Sequence, residues 1–83
     1  MKYFIEGHKA KTDLVHEETM IIKDEKAYSS LQEALKKARE YFEEEKDLAL
    51  AVIYEENPVG EREGVKFIHR DQEGNLEEVA HWW

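Results

Sequence analysis

The side chains in this chain most readily recruited for chemistry are four histidines, His8, His16, His69 and His81, because a neutral imidazole can bind a metal or carry a proton near neutral pH. Their spacing matches no zinc signature, and there is no cysteine to complete one. On a hairpin in which Asp71 pairs with Asn75, His69 and His81 stand about four steps apart, roughly 13 Å at about 3.3 Å per step, too far to share one ion. His69 falls opposite Glu77, a spacing that reads as a cross-strand hydrogen-bonded pair. His8 and His16, with Glu17 beside the latter, flank a loop of undetermined shape. Ser29 and Ser30 occupy helix-capping positions, and no Gly-x-Ser-x-Gly turn is present to make either a nucleophile. Glycines 7, 60, 64 and 74 form no phosphate loop. Twenty acids on 83 residues guarantee close carboxylate pairs, so abundance alone singles out no acid–base dyad. No catalytic residue, metal or cofactor is expected.

Charge is the more distinctive property. The net charge is −8, and it is unevenly spread. Residues 1–28 carry five bases against six acids, residues 29–47 four against six, and residues 48–83 three against eight. The chain has no cluster of Lys and Arg of the kind that binds phosphate backbones by releasing counterions, so direct nucleic-acid binding is not expected. A basic protein surface is the complementary partner. The acids that could engage it are Glu55, Glu56, Glu61, Glu63, Asp71, Glu73, Glu77 and Glu78, extended by Glu43 and Glu44. Residues 1–5 are too short an apolar run for a signal peptide and no run approaches a membrane span, so the expected compartment is the cytoplasm.

These side chains must be positioned by few elements, since 83 residues make one small domain. Leu31, Ala34, Leu35, Ala38, Tyr41 and Phe42 recur at the spacing of one helical face and predict a helix over about residues 30–46. Ser30 and Glu33 have capping-box spacing. The last turn instead carries Glu43, Glu44 and Glu45, where the helix dipole favours cations and each acid costs about 0.3–1 kcal/mol. Lys2–Glu6 and Leu14–Lys23 read as a hairpin joined by residues 7–13, with Asp24–Tyr28 leading into the helix. The segment 48–54 reads as a central strand buried on both faces. Asn57-Pro58 and Gly60 mark a loop, and Gly64–Arg70 and Leu76–Trp83 form a hairpin around Gly74. The expected fold is α+β, with a single helix on a mostly antiparallel sheet in the order ββαβββ.

Alternation in the last hairpin places Val65, Phe67, Val79 and Trp83 on one face and Ile68, Leu76, Ala80 and Trp82 on the other. With one helix over the first face, the second is left as an apolar patch. The leading expectation is a small non-catalytic protein-binding module whose acids mimic nucleic-acid charge on a basic partner. In size and acidic balance the chain is similar to phage-encoded inhibitors of bacterial defence nucleases, the anti-CRISPR type included, a likeness of composition without a shared motif. The alternative is a homodimer or larger homo-oligomer joined through the Trp82 face, enclosing a small ligand. A third reading is an antitoxin-like partner protein, because the segment SLQEALKKARE resembles the helix of HicB-type antitoxin domains.

Overall fold

The structure, a computed structural model, describes residues 1–9 and 20–80. The elements follow in the order β1 (Lys2–His8), β2 (Met20–Tyr28), α1 (Leu31–Glu44), β3 (Leu50–Glu56), β4 (Arg62–Arg70) and β5 (Leu76–Val79). They form an α+β fold with one helix on a five-stranded antiparallel sheet of spatial order β2-β1-β3-β4-β5. Among the described residues no helix is long and apolar enough to cross a membrane.

The helix starts and stops for local reasons, and its end is repaired from a distance. Ser30 has extended dihedrals, and its hydroxyl accepts the Glu33 amide at 3.2 Å, satisfying one otherwise free N–H of the first turn. The Glu33 carboxylate accepts from the Ser29 hydroxyl at 3.1 Å, rather than turning back to the cap amide. The last turn contains no basic residue. The missing cation comes from β4: Arg70 donates to the carbonyls of Phe42 at 2.6 Å and Leu48 at 3.0 Å, and its guanidinium lies 5.0 Å from the centre of the Phe42 ring. A guanidinium on the last-turn carbonyl of Phe42 opposes the repulsion expected of Glu43 to Glu45.

Both faces of the central strand are buried, and Leu50, Ala51, Val52 and Ile53 are all inaccessible. Ala51 and Ile53 lie under α1 with Ile5, Ile68, Ala34, Ala38 and Phe42, while Leu50 and Val52 join Phe67 on the other face. The helix therefore covers the face that carries Ile68, not the face that carries Phe67. Ala34, Ala38 and Ala51 are all fully buried in this layer, small side chains that let helix and sheet approach closely. A bulge at Ile53/Tyr54, where the partners step from Lys66 to Gly64, turns Val65 from the Phe67 face towards the helix-side cluster. Gly64 makes room in that turn, since a Cβ there would stand 3.0 Å from the Phe67 ring.

Several strand boundaries move. Gly7 lies within β1 rather than in the connection, paired with Ala51, and its lack of a side chain permits close packing, since a Cβ there would sit 2.7 Å from Leu48 and 3.0 Å from Ile22. Asp24–Tyr28 continues β2 instead of leading out of it. Tyr3 pairs with Tyr28 and Ile5 with Asp24, so β2 bulges by two residues, and the Asp24 carboxylate accepts the Lys26 amide at 2.9 Å inside the bulge. The remainder of the expected 14–23 strand before Met20, and the end of the last strand with His81, Trp82 and Trp83, lie outside the described residues.

Phe42 is 3% exposed and joins helix, sheet and Arg70. Phe42→Ala should cost about 3–5 kcal/mol, much of the total stability of a domain this size, and chemical denaturation checks it.

Candidate functional site

Eight of the ten acids nominated by the sequence separate into two groups at the ends of the sheet, while Glu77 and Glu78 lie on β5. β3 runs from the C-terminal end of α1 to the β3–β4 turn, and β4 runs back. Glu43, Glu44, Asp71 and Glu73 therefore share one end of the sheet, whereas Glu55, Glu56, Glu61 and Glu63 share the other. Seven residues of β3 place roughly 20 Å between the groups at about 3.3 Å per residue. That exceeds the screening length of about 8 Å at physiological salt, so the two groups act as separate fields.

Several of these carboxylates already have partners. Asp71 accepts the amides of Glu73 and Asn75, each at 2.9 Å, and so builds its own turn. Glu77 lies 3.4 Å from His69, the pairing expected from register. Glu78 meets Arg39 of the helix. Glu56 pairs with Arg62 at 3.2 Å, and the Arg62 guanidinium stacks 3.8 Å from the centre of the Phe4 ring. The remaining acids of the β3–β4 end differ from these. Glu55 accepts the Tyr3 hydroxyl at 3.2 Å and stands directly opposite Glu63, a like-charge cross-strand pair that costs stability. Glu61 and Glu63 are exposed and, among the described residues, pair with no cation.

The turn that carries Glu61 is well ordered by its own chemistry. Asn57 accepts the amides of Val59 at 3.1 Å and Glu61 at 2.9 Å, and Gly60 takes φ +91°. Among the described residues Val59 and Met1 are the most exposed large apolar ones at 78% and 69%, and Met1 lines a concavity of about 230 Å³ with Lys2, Glu56, Asn57, Pro58 and Gly60. Sequence reasoning named the acids but missed these apolar neighbours, since chain alternation carries no signal for a turn tip.

The proposed apolar patch loses Ile68 as a surface residue. Ile68 is fully buried beneath α1, because the helix covers its face. Leu76 is 36% exposed and Ala80 is exposed, while Trp82 lies outside the described residues. Among the described residues no group of three or more His, Asp or Glu is placed to hold a metal ion. His8 is fully buried with Nε2 3.8 Å from Glu6; burial lowers its pKa, against the opposing pull of the Glu6 charge. His16 and His81 fall outside the described residues.

One polar cluster escaped the sequence reading. Tyr28 and Tyr41 both donate to the same oxygen of Asp24, at 2.5 and 2.7 Å, and so tie the edge strand β2 to α1. Burial raises the Asp24 pKa, but the two tyrosine hydrogen bonds, the Lys26 amide and the Lys37 charge outweigh it and leave the carboxyl below its ordinary value. Burial, then the bond to Asp24 and its charge, push Tyr41 up to about 12 and Tyr28 higher still. Lys26 lies 5.2 Å from the centre of the Tyr28 ring and Lys37 4.9 Å from that of Tyr41.

Because the tyrosine pKa values are raised on folding, the stability carried by their neutral hydroxyls is present in full below pH 10 and is lost as pH rises through about 12. The Asp24 contribution runs the other way: it is present at neutral pH and lost as pH falls through the depressed value. Asp24→Ala strands two hydroxyls and should cost about 1–3 kcal/mol, and in ultraviolet titration it should return Tyr41 towards 10.0.

No family model, no curated protein and no solved structure matches this chain.

Proposed function

We propose that the chain is a small, non-catalytic, cytoplasmic binding module whose β3–β4 end engages a basic protein surface of the kind that accepts nucleic acid. The observation that supports this reading is the opposition of Glu55 and Glu63 across the hairpin, with exposed Glu61 and Val59 at its tip. Folding gains nothing from two carboxylates placed face to face, whereas a cationic partner relieves their repulsion and gains their combined field. Val59 and Met1 add apolar contact area next to that charge. The Asn57-braced turn holds these groups in place, so little ordering entropy is lost on binding.

Glu63→Gln separates binding from folding. It should leave stability unchanged or raise it by a few tenths to about 1 kcal/mol, because the cross-strand repulsion is removed. The Glu61→Gln/Glu63→Gln double variant should capture fewer partners from a bacterial lysate than the parent, and duplex DNA or added salt should release what the parent holds. Identical partner sets for parent and variant, or partners indifferent to both DNA and salt, would overturn the proposal.

A further inference from the structure

Along the edge of the sheet, where β2 meets α1, lies a groove with a different charge balance from the β3–β4 turn. It is a concavity of about 250 Å³ between β2 and the helix, lined by Lys26, Tyr28, Glu33, Lys36, Lys37 and Glu40. We infer that this groove binds a phosphate group, either free or as a small monoester.

The charges in the groove are not equivalent. Lys37 and Glu40 lie 3.8 Å apart and largely cancel. The Glu33 carboxylate accepts from the Ser29 hydroxyl at the start of the helix. Lys26 and Lys36 are exposed and, among the described residues, neither forms an ion pair with a carboxylate. Two such ammonium groups suit a ligand carrying about −1.5 to −2 charges, as phosphate does near neutral pH, better than a singly charged carboxylate. Lysine is suited to this role as a compact point charge.

Of the groove's lysines, Lys26 and Lys37 are also held in position. Lys26 packs over Tyr28 and Lys37 over Tyr41, and Asp24 anchors both rings through their hydroxyls. Asp24 thus acts as a positioning residue for the groove. The net negative charge of the molecule does not forbid an anion here, because acids beyond about 8 Å are screened and within the groove three lysines face two glutamates, Glu33 and Glu40.

The test is a heteronuclear NMR titration of the whole chain with inorganic phosphate and, separately, with glycerol 3-phosphate, against sodium chloride at matched ionic strength. Amide shifts should saturate and be confined to Lys26–Tyr28 and Glu33–Glu40. Tighter binding of glycerol 3-phosphate than of inorganic phosphate would identify a monoester as the ligand, and equal or weaker binding would identify the free anion. Lys26→Gln and Lys36→Gln should each weaken binding about tenfold, the loss expected for one charge-assisted contact, with folding unchanged by circular dichroism. Shifts reproduced by sodium chloride, absence of saturation where a site of about 1 mM affinity would fill, or full binding by the double lysine variant would overturn the inference.

Discussion

The complete burial of four consecutive β3 residues, Leu50 to Ile53, is the constraint on which the rest of the structure depends. A strand buried on both sides needs a layer on each face, and each wholly buried Leu, Val or Ile side chain contributes about 1.5–3 kcal/mol to that arrangement. On one face α1 supplies the layer through Ala34, Ala38 and Phe42; on the other, Leu50 and Val52 pack with Phe67, with Tyr54 and Val79 at the margin. β1 and β4 flank β3 and pair with it along its whole length, so the outer strands take their register from it at one remove.

Polar groups then lock what apolar burial only brings together. Arg70 supplies the cation that the helix C-terminus lacks in its own sequence, and Asp24 collects two tyrosine hydroxyls to hold the edge strand against the helix. These devices act across 28 and 17 residues of chain respectively, which couples the last long strand and the second strand to the same helix. Tyr54 shows a related arrangement on the opposite face, where burial and then the charge and hydrogen bond of Glu6 raise its pKa to about 12. Raised tyrosines and a depressed aspartate mark hydrogen bonds that stabilise the fold at neutral pH.

The two hairpin turns, Asn57–Glu61 and Asp71–Asn75, have the same construction. In each, the first side chain accepts the amides of the third and fifth residues, the fourth residue is a glycine with φ near +90°, and the first amide donates to the fifth carbonyl. The shared frame carries different charge: Glu55, Glu61 and Glu63 at one turn, and Asp71 and Glu73 at the other, where Asp71 is consumed by the turn itself. A negative field over an apolar tip therefore belongs to the β3–β4 end, while the lysine groove lies on the helix flank.

Local chemistry determined much of this from sequence alone. Helical periodicity and the Ser30 cap located α1, Gly74 located the last hairpin together with its His69–Glu77 register, and the apolar run after Asp47 identified the central strand, because each signal lies within a few residues of what it specifies. The repeated Asx-x-x-Gly spacing was equally legible at Asn57 and Gly60 and would have identified the second hairpin. Only tertiary structure decided which face the helix covers, since Ile68 and Phe67 are equally apolar and alternation cannot choose between them. The bulges that turn Val65 and extend β2, the arrival of Arg70 at the end of α1, and the separation of the acids into two ends all depend on residues brought together from distant parts of the chain. Spacing along the chain carries no record of those contacts.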